Sequence, residues 1–168
     1  MEKLSQLTGP IADKADGALI YKMLAGIYDR FSSLIFNTGG LAIGTGSKKK
    51  VLIANTVYGV AGGTLFANTT EEVVLAGTVS NAAFNVFCIY LDSAGTAYAY
   101  MGTEGAALIN VKFPPVQSKK AMVGFVIVNP TGTGNFVGAS TDLDDATVVP
   151  NAVYVNTLAP FNPTATII

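Results

Sequence analysis

The sequence predicts a mainly β fold: an antiparallel β-sandwich or barrel body carrying an N-terminal α-helical arm. Three observations predict it. Beyond Gly40, short apolar runs alternate with clusters of Asn, Gly, Thr and Pro, the rhythm of strands and turns in a small antiparallel body. Ahead of them, one stretch repeats its apolar residues every three to four positions, the period of a helix. The charges are also crowded at the start, where Glu2, Lys3, Asp13, Lys14, Asp16, Lys22, Asp29 and Arg30 precede long charge-free segments at 51–70, 73–91, 121–141 and 146–168. The expected division is an arm over residues 1–40 and a β-rich body with an extended tail over 41–168.

The arm comes first. Ile20, Met23/Leu24, Ile27, Phe31 and Leu34/Ile35 form an apolar stripe over 17–35, with Lys22, Asp29, Arg30 and Ser33 mostly on the other side. Asp13 or Asp16 suits the N-terminus, where a carboxylate accepts from free N–H groups and favours the helix dipole. Asn37-Thr38-Gly39-Gly40 is a stop. An apolar stripe must be covered, either by the chain's own body or by a partner. Ile20, Leu24, Ile27, Phe31 and Leu34 are the candidate docking residues.

The strands follow in order. Residues 51–54, 56–60, 64–67 and 72–79 are short apolar runs. Residues 84–91 (FNVFCIYL) are apolar on both faces apart from Asn85, and 96–101 follow across Asp92-Ser93-Ala94-Gly95, a link with the chemistry of a hairpin turn. Residues 106–111 are a further expected strand. Phe113-Pro114-Pro115 imposes an extended loop. Residues 121–128 (AMVGFVIV) are again apolar throughout, 129–134 form a turn cluster, and Phe136-Val137 resume the chain. In the tail, Pro150, Pro160 and Pro163 forbid a continuous helix, so its apolar residues are expected to lie extended against the body or a neighbour.

A strand apolar on both faces is covered on both faces. With charged residues at only 12% and a mean hydropathy of +0.45, the runs at 84–91 and 121–128 suggest that part of the surface of one chain is interior to an assembly of identical copies. Phe84, Val86, Phe87, Phe125, Tyr154 and Phe161 are the candidate interface residues.

Composition removes whole classes of chemistry. There is no histidine, so no Ser-His-Asp triad and no His metal ligand. Cys88 is the only cysteine, which excludes an intrachain disulfide and a multi-cysteine zinc site. The net charge is −1, which gives no electrostatic footprint for nucleic acid. The start has no apolar secretory core, and 73–91 is too polar and too turn-rich to span a membrane.

Several motifs that suggest chemistry have plainer roles. Residues 39–48 are glycine-rich but fit no register of a phosphate loop, so they read as a connector. Lys48-Lys49-Lys50 and Lys119-Lys120 lack interleaved aromatics for base stacking and read as solvated loops. Asp142-Leu143-Asp144-Asp145 departs from an EF-hand and reads as a turn. Glu71-Glu72 or Glu104 could join these aspartates as a glycosidase pair, but nothing local supports that. Cys88, in an apolar strand, reads as core. Asn68-Thr69-Thr70 fits a glycosylation acceptor without a secretory signal to support it. Tyr58, Phe66, Tyr90, Tyr98 and Tyr100 read as core aromatics before a sugar-binding face. No enzyme, cofactor or metal is expected.

The C-terminal half resembles virion proteins of tailed phages and prophages. Phe84-Asn85-Val86-Phe87, Leu91-Asp92-Ser93-Ala94-Gly95-Thr96 and Met101-Gly102-Thr103-Glu104-Gly105 resemble their "LDAAGT…GTEG" hairpin. Val123-Gly124-Phe125-Val126-Ile127-Val128-Asn129-Pro130, Thr131-Gly132 and Phe136-Val137-Gly138 resemble their "GFVIVNPTG…FV.G" segment, and Thr141-Asp142-Leu143-Asp144 their "TTALD" turn. The resemblance spans about 72–158. It implies a β-rich virion subunit, often trimeric, that decorates the capsid exterior as a cement protein or head-fibre base. The expected partners are its own copies, as a homotrimer, and the major capsid protein, with no nucleic acid and no membrane. Synthesis is expected in the host cytoplasm and the final location on the virion surface. The alternative is a tail-fibre or head-fibre receptor-binding module.

Overall fold

The computed structural model describes residues 14–150 and 152–158. It begins with helix α1 (Lys14–Phe31). Twelve strands follow: β1 (Leu34–Ile35), β2 (Leu41–Ile43), β3 (Lys50–Ile53), β4 (Val57–Ala61), β5 (Thr64–Asn68), β6 (Glu71–Val74), β7 (Thr78–Val79), β8 (Asn85–Leu91), β9 (Ala97–Met101), β10 (Ala121–Val128), β11 (Phe136–Val137) and β12 (Val153–Asn156). Every pairing is antiparallel. The strands form a four-stranded sheet in the order β12-β10-β8-β9, two three-stranded sheets, β1-β4-β5 and β2-β3-β6, and a ribbon of β11 and β7. None closes into a barrel, which leaves the layered form of the predicted alternatives.

The layers are held by one core. Alternation places Phe87, Ile89 and Leu91 of β8 on the inner face of the four-stranded sheet. There they join Ile35, Val51, Ile53, Val57 and Phe66 from the three-stranded sheets, and Leu75, Phe136, Leu143 and Val149 from the connections. A bulge between Met122 and Gly124 shifts the register of β10 on β8. Ala121 and Val123 on one side of it and Val126 and Val128 on the other therefore all point inward. A bulge adds one residue and flips the alternation beyond it, which is why the sequence of β10 shows no clean period of two.

The second face of β8 corrects the expectation drawn from its composition. Val86, Cys88 and Tyr90 point away from the inner core, yet all are buried. The chain covers them itself. The segment between β9 and β10 folds back over this face, bridging Thr103 to Lys112 and Phe84 to Gly105. It places Phe113 edge-on to Phe125 at 5.1 Å and buries Pro114. Two apolar faces therefore mean two covered faces, but the cover is intramolecular. The expected strand at 106–111 is instead part of this cover. It contains a short 3-10 turn at Leu108–Asn110 with no buried residue.

The arm also differs from its prediction. The helix stops at Phe31, and Leu34 and Ile35 belong to β1. Two hydrogen bonds fix the break: Gly63 N–H donates to the Ser32 carbonyl at 2.9 Å, and Gly62 N–H donates to Ser33 Oγ at 2.9 Å. Ile35 then enters the core. In the tail, β12 pairs with β10 from Gly124↔Asn156 to Ile127↔Val153, so this part lies extended on the body as expected. Phe161 lies outside the described residues.

Candidate interaction surface

Several carboxylates in the body are occupied with holding loops. Asp92 Oδ1 accepts from Ala94 N at 2.9 Å and Thr96 N at 3.0 Å, and its Oδ2 accepts from Tyr98 Oη at 3.0 Å. Gly95 closes that hairpin at φ +79°, a conformation that favours glycine. Glu72 Oε1 accepts from Gly46 N at 2.6 Å, so the glycine-rich loop already holds an anion of its own chain. Glu71 Oε2 accepts from Asn68 Nδ2 and Ala97 N. Glu104 accepts from both the N–H and the hydroxyl of Ser80 at 2.9 Å. The carboxylates are thus spread over separate loops and do not converge on one point as a glycosidase pair.

The acidic turn is divided in the same way. Asp144 pairs with Lys48 at 2.6 Å, while Asp145 Oδ1 accepts from the hydroxyl and N–H of Thr147. No group of three or more potential metal-ligating side chains stands together among the described residues. One open depression of 430 Å³ is mixed in character, lined by Lys49, Ser140, Thr141, Asp142 and Asp145 beside Val137 and Val148.

The five aromatic residues divide, three clustering on the four-stranded sheet and two lying on β4 and β5. Tyr90 meets Tyr100 edge-on at 5.7 Å, Tyr98 stacks on Tyr100 at 6.4 Å, and the Lys120 ammonium sits 3.8 Å above the Tyr98 ring. Phe66 is in the core, whereas Tyr58 is exposed. They do not form a common sugar platform. Cys88 is fully buried, and burial pushes its thiol up to about 12, so it is inert as a nucleophile.

Acid sensitivity follows from the carboxylates. Burial opposes ionisation of Asp92, but the Thr96 N–H, the Tyr98 hydroxyl and the Ala94 N–H outweigh it and hold the group below its ordinary value. The Ser80 N–H and hydroxyl lower Glu104, and the Thr147 hydroxyl and N–H lower Asp145. Groups depressed by folding add stability that is complete above their unfolded values, about 4, and is lost as pH falls through the folded ones. With no histidine in the chain, the urea midpoint should be flat from about pH 5 to 8 and fall below about pH 4. Asp92→Asn should shrink that fall. A midpoint unchanged down to about pH 2 would refute the role of these groups.

What the body does not cover is apolar. On α1, Tyr21, Met23, Leu24, Ile27, Tyr28 and Phe31 are all exposed, Tyr21 at 74% and Phe31 at 70%, and Ile20 is half-buried. The stripe predicted from the sequence therefore stands in water, not against the body. Its last member, Leu34, is half-buried on β1. The outer face of the β1-β4-β5 sheet continues from there. Leu34 pairs with Val60 and Val60 with Leu65, giving one cross-strand row. Phe36, whose N–H donates to the Tyr58 carbonyl at 2.8 Å, Tyr58 and its partner Ala67 give a second. Phe36 is 57% exposed, Tyr58 55% and Leu65 73%. The sequence did not single out this sheet face, although alternation in 57–67 would have shown an apolar outer set.

The residues expected at an interface fall elsewhere. Val86 and Phe87 are buried within one chain and present nothing to a neighbour. Phe84, Phe125 and Tyr154 are half-buried around the four-stranded sheet. Among the described residues, no helix is long and apolar enough to cross a membrane. No protein-family model, curated protein or solved structure matches the chain.

Proposed function

We propose that this chain is a non-enzymatic structural subunit of a phage particle, bound to the capsid exterior as a decoration or cement protein. The observation that carries the reading is the uncovered apolar surface of α1 and the adjoining sheet, on a body where Glu71, Glu72, Asp92 and Glu104 are engaged in its own loops. The resemblance of 72–158 to phage virion proteins supplies the setting. In this reading the subunit works as a homo-oligomer, and Ile20, Leu24, Ile27, Phe31 and Leu34 dock on the lattice or a neighbouring copy. Burial of apolar area at roughly 25 cal/mol per Å² holds the contacts. Linking several subunits turns weak contacts into strong attachment through effective concentration. The shell is thereby braced against the pressure of packaged genome.

Labelled antibody against the β body, applied to phage particles purified from cells that produce the chain and viewed by negative stain, tests this. Regular labelling of the head is the expected result. Label confined to the tail would favour a receptor-binding fibre module, and unlabelled particles would refute a virion role.

A further inference from the structure

The spacing of the α1 stripe says what covers it. Ile20, Leu24, Ile27 and Phe31 are separated by four, three and four residues, the alternation of a heptad seam in which Leu24 and Phe31 take the a positions and Ile20 and Ile27 the d positions. Such a seam is matched by a helix of the same period, and a second copy supplies it. Leucine at a with isoleucine at d favours three or four helices over two. Tyr21 and Tyr28 at e, and Met23 at g, widen the seam in the same sense, because these flanks are covered more completely when more helices meet. Lys22 falls at f, away from the contact.

The surface also has the right extent. Tyr21, Tyr28, Phe31, Phe36 and Tyr58, each at least half exposed, present roughly 600 Å² of aromatic residue surface at about 200 Å² per residue. A stable interface covers about 800 Å² on each partner. With Leu24, Ile27 and Leu65 added, the patch reaches that scale. The two parts adjoin along the chain: Leu34, three residues after the end of α1 and already on β1, begins the first cross-strand row of the outer sheet face.

We propose that copies of this chain assemble in parallel as a bundle of three or four α1 helices, with the outer faces of their β1-β4-β5 sheets continuing the contact below. Parallel order follows from that adjacency: each helix ends at its own sheet, so the sheets meet only when all of the helices point the same way. This places self-association on α1 and the outer sheet, not on β8 and β10. It rests on the reading of α1 as a docking surface and settles the occupant as neighbouring copies, so sedimentation of pure protein tests it apart from the labelled particles that test the virion role.

The test is sedimentation of the full chain over a dilution series. The expected species has three or four times the 17.3 kDa chain mass. The double variant Leu24→Asp/Ile27→Asp should run as a folded single chain with its β signal retained, because neither side chain belongs to the core. Leu65→Asp should raise the dissociation concentration roughly tenfold or more, the equivalent of about 1.4 kcal/mol. Oxidised Ile20→Cys should form a covalent dimer with itself, and a mixture of Ile20→Cys and Phe31→Cys should form no mixed dimer. Cys88 does not interfere, being buried. A monomeric or dimeric wild-type chain would overturn the proposal, as would efficient mixed cross-linking. A Leu65→Asp protein with unchanged dissociation would remove the sheet from the contact.

Discussion

Phe87→Ala is expected to cost about 3–5 kcal/mol of folding stability, a large part of the 5–15 kcal/mol available to an ordinary domain. Phe87 is fully buried on β8 and meets Phe136 edge-on at 5.9 Å. Truncation therefore removes apolar burial, an aromatic contact and the support of the short β11-β7 ribbon to which Phe136 belongs. Urea denaturation checks this, with the near-ultraviolet signal as a second probe. A loss under about 1 kcal/mol would show that the layers collapse onto the gap, contrary to the packing described. Phe87 is fully buried, so the substitution alters nothing on the face where copies are proposed to meet.

The second large effect is expected at Gly124→Ala. Gly124 sits at the β10 bulge and pairs with both Ile89 and Asn156. A Cβ at this position would run into the Val155 carbonyl oxygen, with Leu41 Cδ1 2.8 Å and Asn156 Cα 3.1 Å away. The obstacle on one side is backbone, so relief requires β12 to move. Overpacking of this kind costs about 1–3 kcal/mol, and detachment of β12 adds the loss of its ladder. Limited proteolysis should show new cleavage between 150 and 158, together with a lower urea midpoint. An unchanged digest and midpoint would mean that β12 shifts without losing its pairing.

The place of Ile35 decides where the arm can be cut. Removing residues 1–35 takes away Ile35, which is 3% exposed in the core. A cut after Phe31 leaves β1 in place and removes only the helix. That boundary was not legible in the sequence, because Leu34 keeps the helical spacing although its backbone belongs to a strand.

The sequence by itself determined the helix, the longer strands and the local chemistry of several turns, but not the short strands at 34–35 and 41–43 nor the 3-10 turn at 108–110. Period identified the helical stripe Ile20–Phe31, and composition identified the hairpin Asp92–Gly95 and the apolar strands on either side of the turn at 129–134. Only the tertiary structure decided which apolar faces are covered. Alternation states which residues share a face and says nothing of what lies opposite. Val86, Cys88 and Tyr90 meet their own chain because the 102–120 segment returns over them. Tyr58, Val60 and Leu65 meet no such segment. The candidate surface thus depends on the long-range path of the chain, which no local spacing encodes.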